Sequence, residues 1–400
     1  MASTRGALRQ SGGRVPSSFT IQSVRPVLLS YVYPEGEELV WVAGTIRSWD
    51  AALVEVTLSD GTTGIGEAGA GIMAALAVPG LVSAYLPYVQ GQSFEDPLDV
   101  GDHLRAYTAF WSRGGIASGV AGAIEIAALD AVAKREGVPA YELLGGRKRD
   151  VIETYASGGL GTTFAHVDAW AQNQVRAGFK TVKFRAMKDP ATTIELVEYL
   201  APRLPADVRF VLDVVQASAS QPWSVDDAIE VGRVAEKFGA RWYEEPCFAT
   251  DVAGYTRVNA ALSIPVSGVE SNGTFEEFAI LIKERGIDLA QPDVTFLGGP
   301  RNFRRVADFA RDHSVACVPH VWGSGVTFSA NLHAALAHDH VQLFEYCTLP
   351  NPLREEILVE PIKLDNGFLR APESPGLGVL VDADVEARFA FSPTGGHVIK

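Results

Sequence analysis

Hydrophobic and polar positions along this chain follow one rhythm in the first third and another after Val151. From 20 to 33 an apolar, β-branched run predicts a strand. Residues 52–58 and 63–67 lie on either side of Ser59-Asp-Gly-Thr62, a hairpin signal, so two more strands are expected there. The stretch 34–49 reads as a polar loop punctuated by aromatics. After a Gly/Ala-rich loop at 69–71 come three helical patterns, near 79–90, 97–110 and 117–136. The third is Ala-rich, with Glu125 and Asp130 set among apolar residues as packing. An antiparallel sheet followed by helices makes an α+β unit.

From Val151 onward, short β-rich runs alternate with amphipathic stretches of helical length. The predicted strands end at Ser157, Arg185, Asp213, Glu244, Glu270, Asp293, His320 and Glu345, with helices such as 190–203, 226–238, 274–285 and 300–313 between them. Repeated strand–helix units imply parallel pairing. Eight strands with seven intervening helices predict an α/β TIM-type barrel, (β/α)7β, because Leu349-Pro-Asn-Pro follows the last strand directly. The expected organisation is a disordered tail (1–18), an N-terminal α+β capping domain (19–148), the barrel (149–350) and a C-terminal segment (351–400) that returns to complete the capping domain.

Composition narrows the classes of function. Four hundred residues, 47% of them hydrophobic, suffice for a barrel and a second domain. A net charge of −14 argues against a nucleic-acid partner. No run approaches the roughly 18 apolar residues of a membrane span, so no membrane partner is expected. The three cysteines are too few for a disulfide framework, and a reducing cytoplasm is expected.

Most strand ends carry ionisable residues, and in a parallel barrel those ends share one face. Asp213, Glu244 and Glu270 close three successive strands. Taken singly, each acid could pair with a neighbouring strand. Three in register would repel unless a cation lay between them, and all-oxygen ligation favours Mg²⁺ over Zn²⁺. Lys183 and Arg185 are two apart on one strand and share a side. Asp293 precedes His320 by one strand–helix unit and could accept the imidazole N–H, which orients the ring and raises its basicity. Glu345 closes the last strand. A cation with a Lys/Arg pair on one wall and a His/Asp pair on the other suits removal of a proton next to a carboxylate.

Together these residues resemble the enolase superfamily, and within it the mandelate racemase-like subgroup. The resemblance spans roughly 20–385. It rests on Gly64-Ile-Gly-Glu67, Ala123-Ile-Glu-Ile-Ala-Ala-Leu-Asp130, Leu143-Leu-Gly-Gly146, the Lys-x-Arg pair, the three acids, the Asp293/His320 pair and 361–378. It implies Mg²⁺ on Asp213, Glu244 and Glu270, with the first Glu of Glu-Glu-Pro as ligand. It also implies a capping domain that sets specificity through 31–49 and 67–74. Three positions depart from the pattern. Arg185 stands where a second Lys is common, and an arginine is a poor base and a better anion clamp. Val215 replaces a usual Asn, and 217–221 is an insertion at the mouth of the site.

The expected activity is Mg²⁺-dependent dehydration of an acid sugar or related hydroxy-carboxylate through an enediolate. His320 would be base, acid or both, Lys183 and Arg185 would hold the enediolate, and Glu345 would bond the substrate carboxylate. A racemase, epimerase or cycloisomerase using the same intermediate is the alternative, and a non-catalytic metal-binding barrel is a third class. The expected partner is a small carboxylate, with a homo-oligomer as the expected assembly.

Overall fold

The computed structural model describes residues 17–393 and 396–399. The tail expected over 1–18 lies almost wholly outside them. The chain begins with a long strand β1 (Phe19–Val32), then short strands β2 (Leu39–Trp41) and β3 (Gly44–Ile46), then β4 (Ser48–Leu58) and β5 (Thr63–Glu67). β4 pairs antiparallel with both β1 and β5, and β6 (Ser93–Phe94) adds to the far edge of β1. The stretch expected as an irregular loop thus contains a hairpin, β2–β3, and its last residues already belong to β4. Trp49 and Ser48 are buried there because the sheet begins four residues earlier than the alternating pattern showed.

Helices Val78–Val89, Asp99–Thr108 and Gly115–Glu136 cover this sheet, close to the expected spans. The last is long and apolar enough to cross a membrane by length and composition, as is the stretch Gly71–Val89, contrary to the reading of the bare sequence. Its membrane-length window is 94% buried, however, so here the apolar surface serves the core of the cap. β5 runs directly against this helix. A Cβ on Gly64 would fall 2.2 Å from Ala127 O, and one on Gly66 1.9 Å from Ala123 O. Only glycine opposite alanine allows that approach, which is the physical content of the Gly-Ile-Gly-Glu motif.

Eight parallel strands follow: β7 (Val151–Ser157), β8 (Thr181–Arg185), β9 (Arg209–Asp213), β10 (Tyr243–Glu244), β11 (Val266–Gly268), β12 (Leu289–Ala290), β13 (Ala316–Cys317) and β14 (Leu343–Cys347). Each of β7 to β12 pairs with its successor, and β14 pairs with β7. A parallel bridge joins Cys317 to Val341, just before β14. Seven helices separate the strands, and this layout is compatible with the expected (β/α)7β barrel. Most of these helices open on a side-chain cap: Thr163, Asp189, Ser224, Asp251, Thr274 and Ser324 each accept from an amide of the first turn.

The strand limits differ from expectation where proline intervenes. Pro292 and Pro319 have no N–H to give the ladder, so β12 and β13 end early. Asp293 and His320 stand three residues past their strands, and Glu270 two past β11. The backbone still follows the sheet, since His320 N donates to Pro292 O at 3.2 Å. Glu345 lies in the middle of β14 rather than at its end.

The C-terminal segment serves both halves. β16 (Phe368–Arg370), which pairs with β15 (Leu364–Asp365), lies antiparallel on β7. Farther on, Arg25 pairs with Glu386 at 2.7 Å, Ser30 N donates to Phe389 O, and β17 (His397–Ile399) adds to β3. Glu125 and Asp130, expected as simple packing, turn out to be buried ties between elements. Asp130 accepts from Ile65 N and Leu377 N, and Glu125 from Arg301 N at the start of the helix Pro300–Asp312.

Burial raises the Glu125 carboxyl to about 7, against the opposing charge of Arg105. An acid raised on folding binds its proton in the native state while the unfolded chain has lost it. Stability should therefore fall as pH rises from the ordinary carboxyl range through about 7, by on the order of 3 kcal/mol at most for this group. Glu125→Gln should flatten that part of the stability profile, measured by denaturant unfolding between pH 5 and 8; an unchanged slope would rule this origin out.

Candidate active site

The acids, the Lys/Arg pair and the His/Asp pair predicted from sequence do come together, at the C-terminal ends of the parallel strands. β8 and β9 place Arg185 opposite Asp213, and β9 and β10 place Asp213 opposite Glu244. Lys183, fully buried, reaches Glu244 Oε1 at 2.5 Å, Glu345 Oε1 at 2.9 Å and Asp213 Oδ2 at 3.4 Å. Arg185 Nη1 donates to Asp213 Oδ2 at 2.6 Å, and its guanidinium lies 4.7 Å from the Trp322 ring and 6.0 Å from the Trp41 ring. On the opposite wall His320 Nδ1 is 2.9 Å from Asp293 Oδ2, and its Nε2 is 3.4 Å from Glu270 Oε1. Asp293 is itself held by Thr295 N, Thr295 Oγ1 and Asn331 Nδ2. An aspartate bonded on every side fixes the ring it holds.

Glu345 has a different geometry from the one expected of a free substrate contact. Its carboxylate accepts from Val321 N at 2.7 Å and Trp322 Nε1 at 3.2 Å while pairing with Lys183. It thereby joins the β14 wall to the segment that carries His320.

The three acids expected to converge as a ligand set are neighbours, but they turn to the cations of the site. Among the described residues no three His, Cys, Asp or Glu side chains stand ready as a metal cage. Lys183 and Arg185 occupy the reach of Asp213 and Glu244, while Glu270 faces His320. The donor chemistry nevertheless fits a hard cation. Asp213, Glu244, Glu245, Glu270, Asp293 and Glu345 crowd a site whose positive groups are Lys183, Arg185 and His320. Glu270 Oε2 is buried with no hydrogen-bond partner. Burial and the neighbouring acids raise Glu244 to about 7 despite Lys183, and burial with Glu270 and Asp213 raises Glu245 further. Such a site lacks positive charge, and carboxylate oxygens are what Mg²⁺ prefers.

Charge also sets the other groups. Burial works against the Lys183 ammonium, but Glu244 and Glu345 hold its pKa well above the ordinary value. Burial likewise opposes a charged His320, yet Glu270, Glu345 and Asp293 carry it up to about 10. Burial would raise Glu345, but Lys183 and His320 bring it down to about 2.

Backbone strain gathers at the same place. Val215, Glu245 and Val269 have φ of 52°, 53° and 65°, and they sit two residues after Asp213, next to Glu244 and just before Glu270. Left-handed backbone is rare for β-branched residues and costs on the order of 1–3 kcal/mol each. Asn tolerates that conformation well, so Val215 carries backbone strain that an Asn at this position would avoid. The stretch 217–221 begins within the turn Gln216–Ser218, which is pinned by Gln216 Oε1 accepting from Trp223 N.

Several residues gathered at the site were given no role from sequence. Glu245 is the second acid of Glu-Glu-Pro; its φ is left-handed, and its buried carboxyl lies among Glu270, Asp213 and Glu244. Trp322, two residues after His320, donates to Ser157 Oγ and lies over the Arg185 guanidinium. Of the aromatics at 31–49, Trp49 and Tyr33 are packing: the Trp49 indole donates to the Tyr33 hydroxyl, which donates to Pro350 O. Trp41 of that group lies 6.0 Å from the Arg185 guanidinium, and the Trp49 ring lies 5.8 Å from that of Trp322.

Comparison with known proteins agrees with this layout. The description "Mandelate racemase / muconate lactonizing enzyme, N-terminal domain" matches 32–145, and "Enolase C-terminal domain-like" matches 166–385. D-galactarolactone cycloisomerase of Agrobacterium fabrum is 31% identical, covering 84% of this chain and 90% of the relative. Arabinonate dehydratase of Saccharolobus solfataricus is 29% identical over 90% of this chain and 96% of its own. Among solved structures, the 3,6-anhydro-D-galactonate cycloisomerase of Zobellia galactanivorans superposes with a TM-score of 0.81 at 28% identity, over 92% of this chain and 99% of that one. An enolase-superfamily member from Polaromonas gives 0.85 at 26% identity, over 95% and 100%. The chain belongs to the enolase superfamily, among the mandelate racemase/muconate lactonizing enzyme-like proteins.

Proposed function

We propose that this enzyme removes the proton α to the carboxylate of an acid sugar or related hydroxy acid and expels a β-hydroxyl, a Mg²⁺-dependent dehydration. One observation carries the reading: a buried Lys183/Arg185 wall faces a His320–Asp293 pair across a cluster of carboxylates. Asp213, Glu244 and Glu270 would hold the cation, which supplies positive charge where the substrate carboxylate gathers charge. The substrate's proton is weakly acidic, so preorganised cations must meet the charge as it develops. The Lys183 ammonium and the Arg185 guanidinium do this from one side.

His320 moves the proton. Asp293 on Nδ1 leaves Nε2 facing the site. With its pKa at about 10 the ring carries a proton at neutral pH and can deliver it to a departing hydroxyl. Glu270 is the largest of the influences raising it. Offsetting the Glu270 charge therefore brings the ring back toward neutrality, where it also serves as base. Arg185 stays protonated, so proton removal and return share one face. Glu345 holds Val321 and Trp322 and so sets the height of the His320 segment against the substrate.

Dehydratases and cycloisomerases are both among the similar proteins, and a cycloisomerase acting on a lactone is the second reading. Incubation of a panel of acid sugars in D₂O separates these readings. Wild type should incorporate deuterium at the α-carbon of one epimer only, with a dehydrated product. His320→Asn should lower exchange on that face by about 10²–10⁴-fold. Arg185→Lys should open exchange from the other face. Equal wild-type exchange of both epimers would refute the single-face mechanism, and no exchange with any acid would leave a binding protein.

Arg185, His320 and Glu345 are all buried, and Trp41 with Trp322 lies over the guanidinium. Substrate entry therefore requires the β2–β3 hairpin to lift. Amides over 33–47 should exchange more slowly with saturating substrate, and Trp41→Ala should raise KM several-fold more than it lowers kcat. Unchanged protection and unchanged KM would remove the hairpin from substrate binding.

A further inference from the structure

One of the buried carboxylates of the cap reaches the helix that follows His320. Glu67 ends β5, is 2% exposed, and bonds no group of its own sheet through its side chain. Its Oε2 accepts from Ser324 Oγ at 2.6 Å and from Thr327 N at 2.9 Å, and its Oε1 from Ser324 N at 3.4 Å. Ser324 is the N-cap of the helix Gly325–Leu336, and its own oxygen accepts from Val326 N. A helix start leaves its first amides without partners, and a carboxylate there also meets the positive end of the helix dipole. Ser324 serves one amide of this helix; Glu67 serves another from a different domain.

The segment upstream of that helix is His320-Val-Trp-Gly-Ser324. Every residue in it is fixed from outside. Asp293 holds the His320 ring, Glu345 takes Val321 N and Trp322 Nε1, and Asn351 Nδ2 donates to Gly323 O. Glu67 holds the downstream end. β13 ends at Cys317; beyond it Val318 N and His320 N still bond across to Ala290 O and Pro292 O, and from Val321 onward the segment is held by the side chains named above. Glu67 is in turn aimed by β5, whose close seat on the helix Gly115–Glu136 depends on Gly64 and Gly66.

We propose that Glu67 is a positioning residue for His320: it latches the cap to the helix that follows the catalytic histidine, and the imidazole keeps its reach only while the cap is docked. The inference rests on the role given to His320 above. A misplacement of about 1 Å at a proton-transfer group costs on the order of 10²-fold in rate, so a latch of this kind acts on kcat. Burial raises the Glu67 carboxyl, and the hydrogen bonds from Ser324 and Thr327 oppose that. A glutamine retains one acceptor oxygen for Thr327 N but offers an amide group to Ser324 Oγ, so it should restore part of the latch. Alanine leaves both amides unserved.

The test compares Glu67→Ala, Glu67→Gln and Arg301→Gln, the last loosening a cap–barrel ion pair (to Asp99 at 2.7 Å) on a different helix. Amide exchange resolved at Ser324 and Thr327 and the His320 ring resonances are read in the full-length protein, independently of turnover. Glu67→Ala should speed exchange at those two amides at least tenfold and shift the His320 resonances. Its kcat should fall roughly 10- to 100-fold with KM within about twofold, and Glu67→Gln should fall between it and wild type. Arg301→Gln should leave all of these near wild type. If Glu67→Ala merely lowers the melting temperature, with His320 resonances and kcat per folded molecule unchanged, the latch is overturned. A shifted His320 ring in a protein that exchanges no α-proton would keep the latch and refute the catalytic reading, so the two fail separately. Should Glu67→Ala not fold, Glu67→Gln with its ring resonances and kcat decides the question.

Discussion

Lys183 is the group on which the site depends. It is fully buried, and three carboxylates from three other strands close on its ammonium. In a dry interior that ammonium is tolerable only because the acids surround it, and the acids only because it lies among them. The balance is incomplete, since more carboxylates than cations are gathered there, and burial together with the neighbouring acids raises Glu244 and Glu245. The strained turns at Val215, Glu245 and Val269 are the structural cost of keeping the acids turned inward. A divalent cation is the natural complement of that surplus.

The cap is tied to this centre by buried acids rather than by apolar contact alone. Glu67 and Glu125, from a strand and a helix of the cap, each serve amides at the start of a barrel helix. The two helices follow the segments that carry His320 and Asp293. A cap docked in this way does more than cover the barrel mouth. It also bonds the helices that follow the two segments between which the His320–Asp293 hydrogen bond forms.

Much of this was legible in the chain itself. The change of period at Val151 gave the two-part organisation, and acids recurring one strand–helix unit apart marked the site, because parallel strands put their ends on one face. Strand limits were less legible: apolar alternation runs on through Pro292 and Pro319, while backbone pairing stops before them. The hairpin at β2–β3 was hidden because its third strand, β17, comes from the far end of the chain, and a local pattern carries no trace of so distant a partner. The same limit applies to Glu67, whose bonds cross to Ser324 and Thr327. The expected metal cage was read from which residues share a face; where their oxygens turn is decided by Lys183, Arg185 and His320.

Calorimetric titration of metal-stripped protein with Mg²⁺ near pH 7, in buffers of different ionisation heat, tests the charge argument most directly. Binding should be one cation per chain with net release of protons, because Glu244 and Glu245, raised by burial and by the neighbouring acids, lose protons when a cation joins them. Glu270→Gln should weaken that binding at least tenfold with the fold intact. Absence of saturable binding, or binding with no proton release, would contradict the account.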